Sequence, residues 1–194
     1  MEHEPGEPSD EVLMAELARG DENALGTLMT RWELPLKRYL ERLLANAADA
    51  EDLAQETFVR LYKVRRDFKH GARLSPWLYS IASNLAKNRL RWRSVRRLVS
   101  LESAESKSPA FQHPDPDATT GADTAMEKEK ADAVRAAVAS LPLELRTALV
   151  LAEYEGLSHG EIAAALGCTA KAIEGRLHRA RTTLRPMLRS WIKS

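Results

Sequence analysis

The sequence predicts an all-α protein of two small helical domains joined by a flexible linker, with a C-terminal helix-turn-helix. Three observations carry this. Apolar residues recur at helical spacing along most of the chain, and no alternating stretch is long enough to compete as a strand. Residues 100–125, SLESAESKSPAFQHPDPDATTGADTA, are rich in Ser, Pro, Asp and Thr and poor in large apolar groups, the composition of a connector. Residues 157–185, LSHGEIAAALGCTAKAIEGRLHRARTTLR, hold two helical patterns across a three-residue turn. The expected division is a first domain over 9–98, a linker over 99–125 and a second domain over 126–194. With 194 residues, 44% of them hydrophobic, the chain can fill one sizeable core or two small ones, and two domains are expected.

The first helix is expected from about Ser9 to Arg19, closed by Gly20. A second, from about Asp21 to Ala45, carries Leu25, Leu28, Met29, Trp32, Leu36, Tyr39, Leu40 and Leu43 at core spacing, with Pro35 removing one amide donor. Asp49 opens the third, DAEDLAQETFVRLYKVRR, whose apolar arc takes Leu53, Ala54, Thr57, Phe58, Leu61, Tyr62 and Val64. On its other side Asp49, Asp52 and Glu56 lie within about 60° of one another, flanked by Gln55. A solvated face that complements the helix dipole would look the same, so the residues alone leave the strip's purpose open.

The fourth helix is expected to start at a Ser75 cap with Pro76 in the first position, where its missing amide costs nothing. It continues through WLYSIASNLAKNRLRWRSVRR with Asn84 and Asn88 one turn apart, then Arg89, Arg91, Arg93, Arg96 and Arg97. Asparagine is a poor helix former, so two in register point to a task beyond helix making. Amides read base edges and guanidinium groups hold phosphates. The preceding loop joins Phe68, Lys69, His70 and Arg73, a set suited to an unstacked base, although Phe68 could equally anchor the loop.

In the helix-turn-helix, Ser158 and Glu161 form a capping box, Leu157 and Ile162 a hydrophobic staple, Gly167 the left-handed turn and Thr169 the next cap. Ile173, Leu177, Ala180 and Leu184 then form one stripe. Lys171, Glu174, His178, Arg181 and Arg185 fall opposite, a face free to meet DNA.

Net charge is only +1, but it is segregated. Residues 57–97 hold 12 basic and 1 acidic side chains and residues 157–194 hold 7 and 2, whereas residues 1–56 hold 5 and 14 and residues 98–156 hold 5 and 11. Two basic blocks between acidic ones suit two separate contacts with a polyanion. A single cysteine, Cys168, excludes an internal disulfide and argues for a reduced, cytoplasmic setting. The acidic N-terminus is no signal peptide, no apolar run approaches the roughly 20 residues of a membrane span, and no further domain is expected after the recognition helix. No cofactor or metal is expected: no histidine stands one turn from the acidic strip, and no second carboxylate cluster completes a two-metal site.

The segments DAEDLAQETFVRLYKVRRDF, SPWLYSIASNLAKNRLR and GLSHGEIAAALGCTAKAIEGRLHRAR, in this order around a Pro- and Ser-rich connector, resemble an extracytoplasmic-function sigma factor, a compact class of bacterial sigma-70 relatives. The resemblance covers about residues 9–190 and implies a non-enzymatic subunit that directs core RNA polymerase to promoters, recognising the minus-35 and minus-10 elements and aiding melting. It implies that Asp49, Asp52, Gln55 and Glu56 meet the β′ clamp helices of the polymerase, whose β subunit is also a partner. It implies a minus-10 surface of Phe68, Lys69, His70, Arg73, Asn84, Asn88, Arg89, Arg93, Arg96 and Arg97. It implies a minus-35 surface of Lys171, Glu174, Gly175, Arg176, His178, Arg179 and Arg181, and control by an anti-sigma factor. Glu174 and Gly175 stand where several members carry a cation and a serine, and a carboxylate there can accept from a cytosine amino group. The competing reading, a free-standing helix-turn-helix regulator binding DNA as a dimer, leaves the acidic strip and the asparagine pair unexplained.

Overall fold

Ser9 Oγ accepts the Val12 amide at 3.3 Å, and Gly20, at φ 107°, turns the chain out of the helix, which sets α1 (Asp10–Arg19). The structure, a computed structural model, describes residues 7–69, 71–100 and 122–192. Helix α2 (Asn23–Leu44) follows, its first amide taken by Asp21 Oδ1 at 3.0 Å. It buries Leu28, Trp32, Leu36, Tyr39, Leu40 and Leu43 as the spacing predicts. Met29 does not join them; it is 38% exposed although Leu36 and Leu40, on either side of it round the helix, are fully buried.

Two helix starts differ from expectation, one through its own cap residue and one through a side chain from another helix. Helix α3 (Ala47–Lys63) begins before Asp49, since Asn46 Oδ1 accepts the Asp49 amide at 2.8 Å. Helix α4 (Leu74–Ser100) begins before Ser75, because the Leu74 amide donates to Glu11 Oε1 of α1 at 3.3 Å. Pro76 still falls in the first turn, where no amide is needed. After the stretch 101–121 come α5 (Ala122–Ser140), which starts inside the expected connector, α6 (Leu143–Glu153), α7 (His159–Leu166), α8 (Ala170–Met187) and the short α9 (Arg189–Ile192). Among the described residues there is no strand, and no helix is long and apolar enough to cross a membrane.

The two expected cores are one. Leu13, Leu36, Leu61 and Leu78 of the first half belong to the same buried cluster as Leu141, Leu151, Ile162 and Ile173 of the second. Helix α2 lies against α5 and α6, and α4 against α7. Two of the polar contacts that fasten this seam are buried in part. Arg146 of α6 donates through Nη1 to the Leu43 carbonyl at 2.6 Å and through Nη2 to those of Leu141, at 2.9 Å, and Ala139. These carbonyls lie at the C-terminal ends of α2 and α5, where helices leave acceptors unpaired and partial negative charge gathers. Burial lowers the guanidinium's affinity for its proton.

Glu155, just past α6, is the second fastening. The Tyr79 hydroxyl of α4 donates to it, and Arg42 Nη1 of α2 lies 3.9 Å from Oε1. Tyr79 is itself held edge-on by Trp32 and Tyr39, at 5.9 and 4.8 Å between ring centres. Burial pushes the Glu155 carboxyl above its ordinary 4.5, against the opposing pull of Tyr79 and Arg42.

Two outcomes are expected. Replacing Arg146 by Met leaves helix-end carbonyls buried without a donor and should cost about 2–3 kcal/mol in urea unfolding; a loss under about 0.5 kcal/mol would remove the seam role. Because the folded chain holds the Glu155 proton more tightly than the unfolded one, that stabilisation is present below pH 4.5 and is lost as pH rises through the folded value. The wild type should therefore lose melting temperature relative to Glu155→Gln between pH 4.5 and neutrality, and a constant difference would refute this.

Candidate nucleic-acid and partner interfaces

On α3 the strip divides. Asp52, Gln55 and Glu56 face outward, the Asp52 side chain 68% exposed. Asp49 turns toward α4 and is 14% exposed: its Oδ1 accepts from Arg89 Nη1 at 2.6 Å, and Arg93 lies against its Oδ2. The side chain is therefore occupied within the molecule. Beside the strip, Met29, Glu33, Lys37, Glu51, Ala54, Gln55 and Phe58 line a shallow groove between α2 and α3. Lys37 and Glu51 pair across it at 3.3 Å, and exposed Val59 lies farther along α3. Sequence reading missed Met29 and Val59 here: Met29 shares the core spacing of α2 and gave no signal, whereas Val59 falls outside the buried arc of α3.

On α4, Asn84, Lys87, Asn88, Arg91 and Arg96 are exposed, while Ala82 and Ala86 pack beneath. Arg89 and Arg93, expected to hold phosphates, pair with Asp49 in this state. The Arg97 side chain and His70 lie outside the described residues. In the loop, the Phe68 ring packs on Trp77, with ring centres 5.2 Å apart, so the anchoring role left open above is the one it fills here. Lys69 is exposed, and Arg73, also exposed, forms an ion pair with Glu161 of α7. Gly71 supplies the loop's positive φ of 77°.

The helix-turn-helix forms as its residues predict. The Glu161 amide donates to Ser158 Oγ at 3.3 Å and the Ser158 amide donates back to Glu161 Oε2 at 2.9 Å. These hydrogen bonds, with Arg73 adding to them, hold the Glu161 carboxyl below its ordinary range. Gly167 turns at φ 63°, and Thr169 Oγ1 accepts the Ala172 amide at 3.2 Å. Leu157 and Ile162 are both buried, and Ile173, Leu177, Ala180 and Leu184 pack inward. Lys171, Glu174, Gly175, His178, Arg179 and Arg181 face out. Among the described residues, the ion-pair partner of Glu174 is His159 Nδ1, at 3.9 Å. A Cβ on Gly175 would meet nothing within 4 Å, so no internal contact demands glycine.

Two of the expected phosphate contacts are engaged internally. Arg181 pairs with Glu153 at 2.7 Å, both side chains well exposed. Arg176 is only 19% exposed and braces the domain, donating to Glu144 Oε2 at 3.4 Å and to Cys168 Sγ at 3.6 Å. The second contact also explains Cys168 as a packing residue at the turn.

Residues 28–96 match the family model for sigma-70 region 2, and residues 131–184 that for sigma-70 region 4. The chain is 33% identical over 186 residues to an RNA polymerase sigma-H factor of Pseudomonas aeruginosa, covering 93% of this chain and 96% of that one. It is 35% identical to the extracytoplasmic-function RNA polymerase sigma factor SigE of Mycolicibacterium smegmatis, covering 94% of this chain and 70% of the relative. Its fold matches CnrH, solved with the cytosolic domain of CnrY, at a TM-score of 0.68 and 27% identity over 94% of this chain and 99% of that one. Two sigma regions in order and full-length relatives above 30% identity place the protein in one family: it is an extracytoplasmic-function sigma factor of the sigma-70 class.

Proposed function

We propose that this sigma factor grips promoters at two points with α4 and α8, whose polar faces both look outward from one shared core. That paired exposure is the observation that carries the reading. Asn84, Asn88, Lys69, Arg73 and Arg96 meet the minus-10 element, joined by His70 and Arg97; Lys171, Glu174, Gly175, His178 and Arg179 meet the minus-35 element. Asp52, Gln55 and Glu56 dock on the β′ clamp helices, with Met29 and Val59 as apolar flanks. Asp49 supports that surface from behind by holding α3 to α4. The protein carries no catalysis of its own and acts in the cytoplasm on core polymerase.

The fastened seam is a resting state on this reading. A 194-residue chain packed about one core has a radius of gyration of about 16 Å. Elements about 25 base pairs apart lie ~85 Å apart along B-DNA at 3.4 Å per step. One closed body cannot touch both. The stretch between Ser100 and Ala122 can extend to about 75 Å, enough for the halves to part. CnrH was solved holding another protein's domain, which supports an anti-sigma partner for this chain as well.

Transcription by core polymerase plus this chain over a random promoter pool should enrich a motif of two separated blocks. A double Asp52→Lys, Glu56→Lys variant should fold normally and transcribe at least about tenfold less, as reversing two docked charges costs more than 1.4 kcal/mol. No enrichment by the wild type would sink the proposal. At α8, Glu174→Ala should relax one minus-35 position by about five- to a hundredfold in relative binding, the worth of a base-edge hydrogen bond; an unchanged preference at every position would remove the cytosine assignment.

A further inference from the structure

The ridge that carries the asparagine pair does not stop at Asn88. Asn84, Asn88, Trp92 and Arg96 follow one another at four-residue intervals, so they form a single row along α4. Trp92 is 67% exposed. The fold does not ask for an indole there, since Leu78, Ala82 and Ala86 are buried beneath and Leu85 and Leu90 pack against the core. Its one ring contact among the described residues is cationic: the Arg96 guanidinium carbon lies 6.0 Å from the ring centre. Helix α4 contains no acidic residue, so nothing along it repels a phosphate backbone.

The other aromatic groups near this face are spent on packing. Phe68 lies on Trp77, and Trp32 and Tyr79 belong to the core. Trp92 is left as an open π-face between two amides and a guanidinium. Successive residues on the ridge are about 6 Å apart along the helix axis, near twice the ~3.4 Å rise of stacked duplex. That is the pitch of a strand drawn out until its bases splay. An aromatic face beside a cation is the arrangement that holds an unpaired base together with its phosphate.

We propose that Trp92 is a stacking platform for one unpaired base of the opened promoter, adjacent to those met by Asn84 and Asn88, with Arg96 on the neighbouring phosphate. This rests on the reading of α4 as the surface of the opened strand. It adds a residue that acts through stacking and so tolerates every base, where the amides discriminate.

The test uses full-length chain assembled with core polymerase on a promoter recovered by the selection above, pre-opened as a mismatched bubble. 2-Aminopurine, whose fluorescence falls on stacking, is placed at successive positions of each strand. At one position the wild type and Trp92→Phe should hold the probe several-fold dimmer than Trp92→Ala does. Bubble affinity should fall about 5- to 100-fold for Ala and far less for Phe. Equal fluorescence with wild type and Trp92→Ala at every position overturns the proposal, and so does an equal loss of affinity in Ala and Phe without a probe change, which would assign the indole to a protein contact. An Asn84→Ala, Asn88→Ala chain separates the two levels. If it loses base preference while Trp92→Ala alters nothing, the stacking role fails alone; if neither alters anything, the assignment of α4 to the opened strand falls and this inference with it.

Discussion

One buried guanidinium sets the architecture. Arg146 has no carboxylate within its reach in the seam; it is held by backbone carbonyls at the ends of two helices that belong to different halves of the chain. A cation there offsets the negative ends of α2 and α5 together, beside the backbone cap that the Ala45 amide gives α2 by donating to the Glu41 carbonyl. Removing the seam would expose Leu43 and Leu141, which are fully buried, and would return the ends of two helices to water. Burial of the Glu155 carboxyl works the other way, because its ionised form is held by a single hydroxyl and a distant guanidinium. The seam thus joins a guanidinium held by three carbonyls, with its Nε buried and unpartnered among the described residues, to a carboxylate held by one hydroxyl and a distant guanidinium. Closure can be stable and still reversible.

The ion pairs around the basic faces sort the arginines by how easily a phosphate could displace their partners. An exposed pair contributes about 0–1 kcal/mol, while each phosphate contact gains from counterion release. Arg73 with Glu161 and Arg181 with Glu153 are of the exposed kind and exchange at little cost. Arg176 is mostly covered and also meets Cys168, so its loss would disturb the packing of the turn. Asp49 is the least exposed of these carboxylates and holds two arginines at once. The acidic blocks that cancel the net charge are therefore partners of the basic ones within the molecule, and the sum of +1 conceals both.

What could be read from the chain in advance was whatever depends on near neighbours. Ser9, Gly20, the Ser158 and Glu161 box, Gly167 and Thr169 all act within five residues, and each stands as its local pattern predicts. The start of α4 could not be read, since its acceptor, Glu11, is 63 residues away. The pairing of Asp49 could not be read for a related reason: helical geometry put it on the acidic strip, and its partners Arg89 and Arg93 are 40 or more residues away. Phe68 was left undecided because anchoring and base capture ask for the same residue type, and only its contact with Trp77 distinguishes them. Arg146 carried no signal at all, being a lone cation on an unremarked helix.

On α8 affinity and selectivity are assigned to different side chains. Lys171, Arg179 and Arg181 bring charge, which any duplex satisfies equally, whereas Glu174 is repelled by phosphate and can rest only against a donor. An exposed carboxylate on a DNA-facing helix is therefore a penalty at every site that lacks the matching amino group, and selectivity arises from that penalty as much as from the bond. Gly175 extends the same logic. It costs a helix about 0.5–1 kcal/mol relative to alanine, and the empty space around it means that the fold gains nothing in return. On the reading proposed for α8, the compensation lies outside the chain: the missing side chain would let the helix backbone approach a base edge beside the one proposed for Glu174.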